Sequence, residues 1–351
     1  MKIAVLTGGG DCPGLNAVIR AVTLSLLPEH EVFGVERGFW GLVQRRLRPL
    51  DAAAVRDLLD EGGTLLGTHN RADPFHWEGR DASGEVLHCL AEQGVEALVV
   101  IGGDGSLTIA ERFARLGVKI VGVPKTIDND IEGNERSFGF DSAVAVVADA
   151  LVRLKTTARS HGRVMVVETM GRDAGWIALE GGLAGGADAI LIPERPFDLE
   201  QLASSLRERV ARQGHALVCV AEGATLAGGT QSWQQLAGGV TRLGGVGALL
   251  AHELGQRLGE TEVRATLLGH LQRGGAPTAF DRVLSTRFGV AAARCVREGV
   301  FGVTVALQGD RCVRVPLSTV AGRNRRVPAG HELLDCAADL GVLGLSVRTS
   351  P

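Results

Sequence analysis

Residues 122–130 read GVPKTIDND and point to a sheet protein that carries its chemistry at the end of a strand. The stretch follows Lys119-Ile120-Val121, which we predict to be a strand, and it holds two carboxylates, Asp128 and Asp130, two residues apart. Open α/β sheets place their ligands at polar loops that follow the carboxyl ends of strands. A plain turn is the alternative, because Pro-Lys-Thr and Asp-Asn-Asp are common turn sequences.

Two more segments join a predicted strand to a glycine-rich loop, KIAVLTGGGD at 2–11 and LVVIGGDGS at 98–106. Such loops let backbone N–H groups approach a phosphate, and the next helix adds partial positive charge at its N-terminus. Neither segment is a G-x-x-x-x-G-K-[ST] loop, which disfavours an ordinary P-loop enzyme. Asp104 could hold a Mg²⁺ ion that bridges phosphates, or it could cap a helix that starts near Ser106. Together the three loops predict one phosphate-handling crevice.

Length and composition predict a soluble two-domain enzyme. The chain has 351 residues, 45% of them hydrophobic and 22% charged, which suffices for a sizeable core. Its net charge of −3 gives no reason to expect nucleic acid or an acidic membrane as a partner. The six cysteines form no C-x-x-C pair, and no apolar run approaches the roughly 20 residues of a membrane span. We therefore expect a cytoplasmic protein.

Strands and helices alternate along the chain, which predicts parallel sheets covered on both faces. The predicted strands are 2–6, 31–35, 97–101, 119–121, 164–167, 189–192, 217–220 and 265–268. The predicted helices are 16–27, 51–59 with Asp51 as N-cap, 87–93, 107–116, 142–156, 175–183, 199–212, one ending at 258, and 285–296. Residues 68–85 are predicted to form a loop that could cover a ligand, 223–247 a glycine-rich flexible insertion, and 323–326 a solvated turn.

Arginines recur near the predicted strand ends, at positions 163, 172, 264 and 273. A guanidinium group suits a phosphate monoester, but each could be an ordinary surface arginine in a chain with 33 of them. Arg172 and Arg273 are stronger candidates because each lies beside glycine just past a strand. His270 is as easily a hydrogen-bonded structural histidine as a ligand contact.

The motifs taken together resemble those of the phosphofructokinase family. They are LTGGGDCPGLNAVIR, GGDGS, GVPKTIDNDI, SHGR, VETMGRDAGWIAL, AEG and RATLLGHLQRGG, in family order from residue 3 to about residue 290. The resemblance implies two Rossmann-like three-layer α/β domains with mostly parallel sheets and the active site between them, usually in a homotetramer. It places a phosphoryl-donor domain at 1–138 plus 271–321 and a sugar-phosphate domain at 139–270 plus 322–351.

The same resemblance implies transfer of a phosphoryl group to the 1-hydroxyl of fructose 6-phosphate, giving fructose 1,6-bisphosphate in glycolysis. Asp128 resembles the general base, and Asp104 resembles the Mg²⁺ ligand, which Asp130 assists. Thr126 and Arg172 resemble the groups that hold the transferring phosphoryl. The donor-phosphate positions are Gly10, Arg71, Gly103, Asp104, Gly105 and Ser106. The sugar-phosphate positions are Thr126, Ile127, Asp128, Met170, Gly171, Arg172, Glu222, His270, Leu271, Gln272 and Arg273, with Arg163 and Arg264 reaching in from a neighbouring subunit.

The family uses either ATP or pyrophosphate as donor, and this chain mixes the two patterns. Pyrophosphate enzymes tend to have aspartate at the position of Gly105 and lysine at that of Lys125, whereas many bacterial ATP enzymes have glycine at both. An aspartate at position 105 would set bulk and charge against the α-phosphate of ATP. Lys125 does not obstruct a nucleotide, so ATP is the favoured donor and pyrophosphate the alternative.

Two other functions are consistent with parts of the sequence. Kinases of the NAD or diacylglycerol type also use a GGDG loop, but they lack the PKTIDND, MGR and HLQRGG segments. A non-catalytic sensor of nucleotides or sugar phosphates could be built on the same fold. Against it, the base, metal-ligand and clamp positions are all filled.

Overall fold

The computed structural model describes residues 1–231, 233–235 and 241–343. The strands are β1 (Lys2–Gly8), β2 (Glu31–Val35), β3 (Leu47–Leu50), β4 (Val95–Gly102), β5 (Ile120–Pro124), β6 (Val164–Thr169), β7 (Ala189–Leu191), β8 (Ala216–Ala221), β9 (Trp233–Gln235), β10 (Thr241–Leu243), β11 (Val263–Leu267), β12 (Val303–Gln308) and β13 (Arg311–Pro316). The helices are α1 (Leu15–Leu26), α2 (Phe39–Val43), α3 (Ser83–Glu92), α4 (Asp104–Arg115), α5 (Phe140–His161), α6 (Trp176–Gly185), α7 (Leu199–Gln213), α8 (Val246–Arg257), α9 (Ala279–Arg297), α10 (Leu317–Val320) and α11 (Glu332–Asp339). Short 3₁₀ turns span Pro74–His76 and Gly269–Arg273.

The chain divides into two compact units. The first contains Met1–Ser142 and Arg273–Arg325, and the second contains Ala143–Gln272 and the described residues from Arg326 onward. These divisions lie a few residues from the boundaries predicted from the sequence. The functional labels of the two predicted domains stay predictions.

The first unit is built on a seven-stranded sheet with the order β13-β12-β5-β4-β1-β2-β3. The strands from β12 to β2 run parallel, and an antiparallel strand closes each edge, β13 beside β12 and β3 beside β2. Helices α1 and α9 pack together, and α9 contacts β5 and β12. On another side, apolar residues of β1 and β4 join those of α2, α3, α4 and α10 in one buried cluster. This arrangement confirms the predicted α/β class.

The strand order of the first unit creates a switch point between β1 and β4. The chain leaves β1 for β2 on one side of it and later returns to form β4 on the other side. The carboxyl ends of three strands are aligned there, because Gly8 pairs with Gly102 and Gly102 pairs with Pro124. Open α/β sheets bind ligands outside the carboxyl ends of strands at such a point.

The second unit has a four-stranded, wholly parallel sheet with the order β11-β6-β8-β7. Apolar residues of β6, β7 and β8 form a buried cluster with those of α7 and α8. Helix α6 contacts β7, β8 and α11. The two larger sheets are thus mostly or wholly parallel, as predicted, while β9 and β10 form a separate antiparallel pair.

Some segments fold differently from the prediction, were not predicted, or lie outside the described residues. The predicted helix 51–59 is wrong: the segment forms turns, and Asp51 Oδ1 accepts a hydrogen bond from Ala54 N (2.7 Å) without a helix following. The strands β3, β12 and β13 and the helices α2, α10 and α11 were not predicted. The predicted insertion 223–247 lies partly outside the described residues, and so does the end of the predicted sugar-phosphate domain.

Candidate active site

The two glycine loops of the first unit approach each other at the switch point because their glycines have no side chains. A Cβ atom on Gly8 would lie 2.4 Å from Ser106 Oγ, and one on Gly102 would lie 2.3 Å from Ser106 Cβ. Ser106 is in the first turn of α4, so any larger residue would push this helix away from the strand ends. The sequence therefore sets the N-terminus of α4 directly against the ends of β1 and β4.

Asp104 is the first residue of α4, and its N-cap is Gly103. The alternative that Asp104 caps this helix is therefore wrong. Its Oδ1 instead accepts hydrogen bonds from Gly322 N (2.8 Å) and Thr108 Oγ1 (3.5 Å). Burial raises the pKa of Asp104, and the charge of Asp130 raises it further, while the bond from Gly322 opposes both.

Asp104 has the properties of a residue that could bind Mg²⁺. A partly desolvated carboxylate next to a second one is stabilised by a cation. Within the described ranges no group of three or more His, Cys, Asp or Glu side chains is arranged to hold a metal. Mg²⁺ is commonly bound by one or two carboxylates together with substrate phosphates, so a single aspartate can serve as its protein ligand.

The loop after β5 is buried and internally hydrogen-bonded. Thr126 Oγ1 donates to Asp130 Oδ1 (2.9 Å) and accepts from Asp128 N (3.0 Å). Asp128 and Asp130 are 4% and 9% exposed, so both are largely buried in this loop. Because the Thr126 hydroxyl proton is directed at Asp130, that carboxylate orients Thr126, which leaves Asp128 as the candidate base. Ile127 between them is fully buried.

Asn129 holds this loop in an unusual backbone conformation. Its φ is +52°, in the left-handed region that asparagine tolerates better than most residues. The Asn129 side chain donates to Glu135 O (3.2 Å) and accepts from Ser137 N (3.0 Å). These bonds to the following segment hold the turn at Asn129, and with it the backbone of the neighbouring Asp128 and Asp130.

Lys125 lies beneath the first glycine loop. Its backbone N donates to Gly102 O (2.9 Å), and its Nζ donates to Gly10 O. Lys125 is 3% exposed, and burial lowers its pKa, which the nearby carboxylates of Asp128 and Asp11 partly offset. Lys125 therefore ties the end of β5 to the end of β4 and to the loop after β1.

Arg273 brings a second cation to the same loop. Its Nη1 donates to Asp11 O (3.2 Å), and a Cβ atom on Gly10 would lie only 2.9 Å from that nitrogen. Gly105, in contrast, has no heavy atom within 4 Å of a Cβ built upon it. The first loop is thus closely packed and the second is open at position 105.

Arg71 lies apart from these contacts. It is exposed, three residues beyond Thr68, whose Oγ1 donates to Gly9 O (2.5 Å). The backbone N of Arg71 donates to His69 Nδ1 (3.2 Å). The structure places the start of the 68–85 loop against the first glycine loop but gives Arg71 no contact with the other donor positions.

The segment 322–325 also contacts the candidate site, although no motif in the sequence predicted it. Arg325 N donates to Asp130 O (2.8 Å), and its Nη1 donates to the carbonyls of Asn129 (3.2 Å) and Glu135 (2.9 Å). Gly322 donates to Asp104, as described above. The interpretation of 323–326 as merely a solvated turn is therefore wrong for Arg325.

In the second unit, several predicted positions come together at the carboxyl ends of β6 and β8. Arg172 N donates to the buried Glu222 Oε1 (3.0 Å), and Glu222 N donates to Thr169 O (2.8 Å). Met170 N donates to Oε1 of the fully buried Gln272 (3.3 Å). Arg172 itself has a φ of +52° and an exposed side chain. Gly171, with a φ of +141°, precedes it in the same turn.

The remaining predicted positions of this unit fall into two groups. Arg163 and Arg264 form ion pairs with the two carboxylate oxygens of Glu262, at the amino ends of β6 and β11. The amino ends of these strands are opposite to the carboxyl ends that carry Met170 and Arg172. This unit therefore does not bring the two groups of residues together. His270 and Leu271 are exposed in the 3₁₀ turn.

Comparison with known proteins assigns the family. The family model described as Phosphofructokinase matches residues 2–296. This chain belongs to the phosphofructokinase family. It is 48% identical over 333 residues to a pyrophosphate–fructose 6-phosphate 1-phosphotransferase of Amycolatopsis methanolica, covering 93% of this chain and 96% of that one. It is 49% identical over 336 residues to an ATP-dependent 6-phosphofructokinase 2 of Streptomyces coelicolor, covering 93% and 97%.

A solved structure gives the same answer for the fold. The phosphofructokinase of Pichia pastoris in the T-state superposes with a TM-score of 0.81 at 32% identity, over 97% of this chain. The match takes up 36% of the Pichia chain, so the chain described here spans about a third of the length of the Pichia protein. The resemblance seen in the sequence is thereby confirmed at the level of family and fold. In the described part of the chain, no helix combines the length and apolar character needed to cross a membrane.

Proposed function

We propose that this phosphofructokinase-family protein transfers the γ-phosphoryl group of MgATP to the 1-hydroxyl of fructose 6-phosphate. The observation that carries the proposal is the arrangement at the β1–β4 switch point. Two glycine loops, the metal-ligand candidate Asp104 and the Thr126–Asp130 loop all emerge there from the aligned ends of three adjacent strands. Phosphoryl transfer needs such an arrangement, because the protein's task is mostly to position the reactants and stabilise charge.

Asp128 is the proposed general base. A sugar hydroxyl is a poor nucleophile at neutral pH, and a positioned base typically contributes about 10²–10⁴-fold to the rate. The hydrogen bond from Asp128 N to Thr126 Oγ1 and the left-handed Asn129 fix the backbone on both sides of Asp128. The backbone that carries this carboxylate is therefore held in place before substrate binds, which favours efficient proton transfer.

The other roles follow from charge and hydrogen-bonding capacity. Backbone N–H groups of the Gly10 and Gly103–Ser106 loops bind donor phosphates. Thr126 and Arg172 hold the transferring phosphoryl, and Met170, Gly171, Glu222, His270 and Arg273 contact the sugar phosphate. Asp104 would hold Mg²⁺, which would neutralise charge that develops on the donor phosphates.

The open space at Gly105 supports ATP as the donor. A nucleotide extends beyond the two phosphates that it shares with pyrophosphate, and nothing within 4 Å of a Cβ at Gly105 obstructs that extension. Lys125 Nζ is already bonded to Gly10 O, so it acts on the loop rather than obstructing a nucleotide. Pyrophosphate is the second candidate, because Lys125 and Arg273 set two cations beside Gly10 and one of the relatives above carries that name.

Initial rates with fructose 6-phosphate and Mg²⁺, measured in parallel with ATP and with pyrophosphate, test the donor. Turnover with ATP alone supports the proposal and shows that Lys125 is tolerated in an ATP enzyme. Turnover with pyrophosphate alone would refute the ATP proposal and leave the family assignment intact. Turnover with neither donor, in a folded protein that still binds fructose 6-phosphate, would favour the sensor. Other sugar phosphates offered in the same assay test the acceptor.

We also propose a cytoplasmic homotetramer with shared active sites. The location of Arg163 and Arg264, away from the Met170–Arg172 turn, supports a role for them in a neighbouring subunit's site. Two separately inactive variants, Asp128→Ser and Arg163→Ala/Arg264→Ala, should regain part of the activity when refolded together, because some mixed sites contain neither lesion. Mixtures that stay as inactive as their components would contradict sharing.

A further inference from the structure

The first unit contains a cavity outside the switch-point site. It lies between helix α9 and the hairpin β12–β13 and has a volume of about 470 Å³. None of its lining residues belongs to the glycine loops, the Thr126–Asp130 loop or the second unit's candidate positions. The volume is within the range of about 300–1,000 Å³ that is usual for small-molecule sites.

Four arginines line this cavity, Arg287 and Arg294 from α9 and Arg311 and Arg314 from β13. Arg314 forms an ion pair with Glu298, and Arg287 Nη2 donates to Asp310 O (2.5 Å). Arg294 and Arg311 are exposed, and neither forms an ion pair with any carboxylate of the described chain. The guanidinium groups of Arg294 and Arg311 thus remain available to a ligand, and Arg287 keeps its charge because its bond is to a neutral carbonyl.

Between the arginines the wall of the cavity is apolar. Val290 and Ala291 contribute from the helix, and Val305 and Val313 contribute from the hairpin. A site for a bare inorganic ion would need only the charges, whereas this lining also offers a surface to a hydrocarbon or heterocyclic body. Guanidinium groups bind phosphate and carboxylate through paired hydrogen bonds, so both oxyanions suit the charged rim.

We propose that this cavity is a binding site for a small organic anion that carries phosphate or carboxylate groups. The simpler explanation, solvated arginines in an arginine-rich chain, accounts for the charge of Arg294 and Arg311. It does not account for four arginines from two different elements around one concave apolar surface. The two explanations differ in a measurable way, because only a binding site excludes solvent from the cavity when the anion is present.

Cys312 gives a local signal for occupancy. It lines the cavity and is half-buried, whereas Cys336 is exposed and lies in the second unit. Burial raises the pKa of Cys312, and Arg287 partly offsets this, so alkylation is best followed at pH of about 8.5, where more thiolate forms. The intact protein is treated with iodoacetamide, and mass spectrometry of the peptides gives the rate at each cysteine.

The probes are AMP for phosphate and citrate for carboxylate, with sodium sulfate at matched ionic strength as the screening control. A bound probe should slow alkylation of Cys312 by about tenfold when its concentration is about ten times its Kd, and leave Cys336 unchanged. Protection by AMP alone assigns phosphate ligands, and protection by citrate alone assigns carboxylates. No protection by either at millimolar concentration, or equal protection by sulfate, overturns the proposal.

A double variant links protection to the guanidinium groups. Arg294→Ala/Arg311→Ala should weaken probe binding by at least about tenfold, because it removes two charge-assisted contacts. Arg297→Ala is the matched control, since Arg297 is an exposed arginine of the same helix that does not line the cavity. If the double variant does not fold, Arg294→Gln/Arg311→Gln replaces it. Undiminished protection in the folded double variant refutes the assignment.

Discussion

Replacing Asp281 with asparagine is expected to change how the stability of the protein depends on pH. Asp281 is fully buried in the first turn of α9, where its Oδ2 accepts hydrogen bonds from Ser142 N (2.8 Å) and Ser142 Oγ (2.6 Å). Burial raises the pKa of Asp281 from 3.8 to about 6, against the effect of the Ser142 bonds and with a further increase from Asp141. The ionised form is therefore destabilised in the folded protein.

The direction of the effect follows from proton binding in the two states. Between pH 3.8 and about 6 the unfolded chain has lost the Asp281 proton while the folded chain keeps it, so the free energy of unfolding decreases as pH rises. Above pH of about 6 both states are ionised, and the loss is complete. The two pKa values correspond to a cost of about 3 kcal/mol at neutral pH.

Asparagine cannot ionise but can still accept the Ser142 bonds through its amide oxygen. The free energy of unfolding of the Asp281→Asn variant, relative to that of the parent protein, should therefore increase by about 3 kcal/mol as the pH rises from about 4 to about 7.5. Urea unfolding at several pH values measures this difference, and Asp57→Asn, which changes an exposed aspartate, is the control. A difference between Asp281→Asn and the parent that is constant across this range would refute the reasoning.

Three further predictions concern the candidate site. Asp128→Ser should lower kcat by about 10²-fold or more with the KM for fructose 6-phosphate little changed, and an unchanged initial rate would exclude Asp128 as the base. Gly105→Asp should leave the melting temperature unchanged, since a Cβ there meets nothing within 4 Å, but should lower kcat/KM for ATP by at least about tenfold. Gly105→Ala, which adds no charge, should retain most ATP activity, and equal losses in both variants would implicate the backbone instead. Arg325→Ala should reduce kcat by about tenfold, because it removes the hydrogen bond that Arg325 donates to the Asn129 turn. The control is Arg326→Ala, which changes an exposed neighbouring arginine and should have near-normal kinetics.

The elements that the sequence predicted correctly share a strong local pattern. Strands β1, β4 and β5 are short apolar runs that end in glycine or proline, and α1 and α4 have apolar residues at helical spacing. The same spacing misled the prediction for 51–59, where Val55 and Leu58 are buried three residues apart in a chain of turns. Burial of two apolar residues at this spacing requires only that they face the core.

The hairpin β12–β13 was not predicted from the sequence for a different reason. Its outer strand contains only exposed and half-buried residues, the exposed Arg311 and Arg314 among them, and at the edge of a sheet such a strand has no continuous apolar run. What holds the hairpin in place is partly polar and distant in sequence. Leu307 N donates to Asn134 Oδ1 (2.7 Å), and Gly309 N donates to Glu135 Oε2 (2.8 Å). These partners are recognisable only after the chain has folded.

The contacts made by Gly322 and Arg325 explain why the candidate site could be predicted only in part. The motif residues Asp104 and Asp128–Asp130 stand out because their residue types carry the chemistry. Gly322 reaches Asp104 through its backbone N–H, which almost every residue possesses, so no residue type at that position signals the contact. Arg325 uses its side chain, but one arginine among 33 gives no local signal that it bonds to carbonyls 190 and 196 residues away. Positioning of Asp104 and of the Thr126–Asp130 loop therefore depends on residues that only the folded structure identifies, because they lie outside the recognisable motifs.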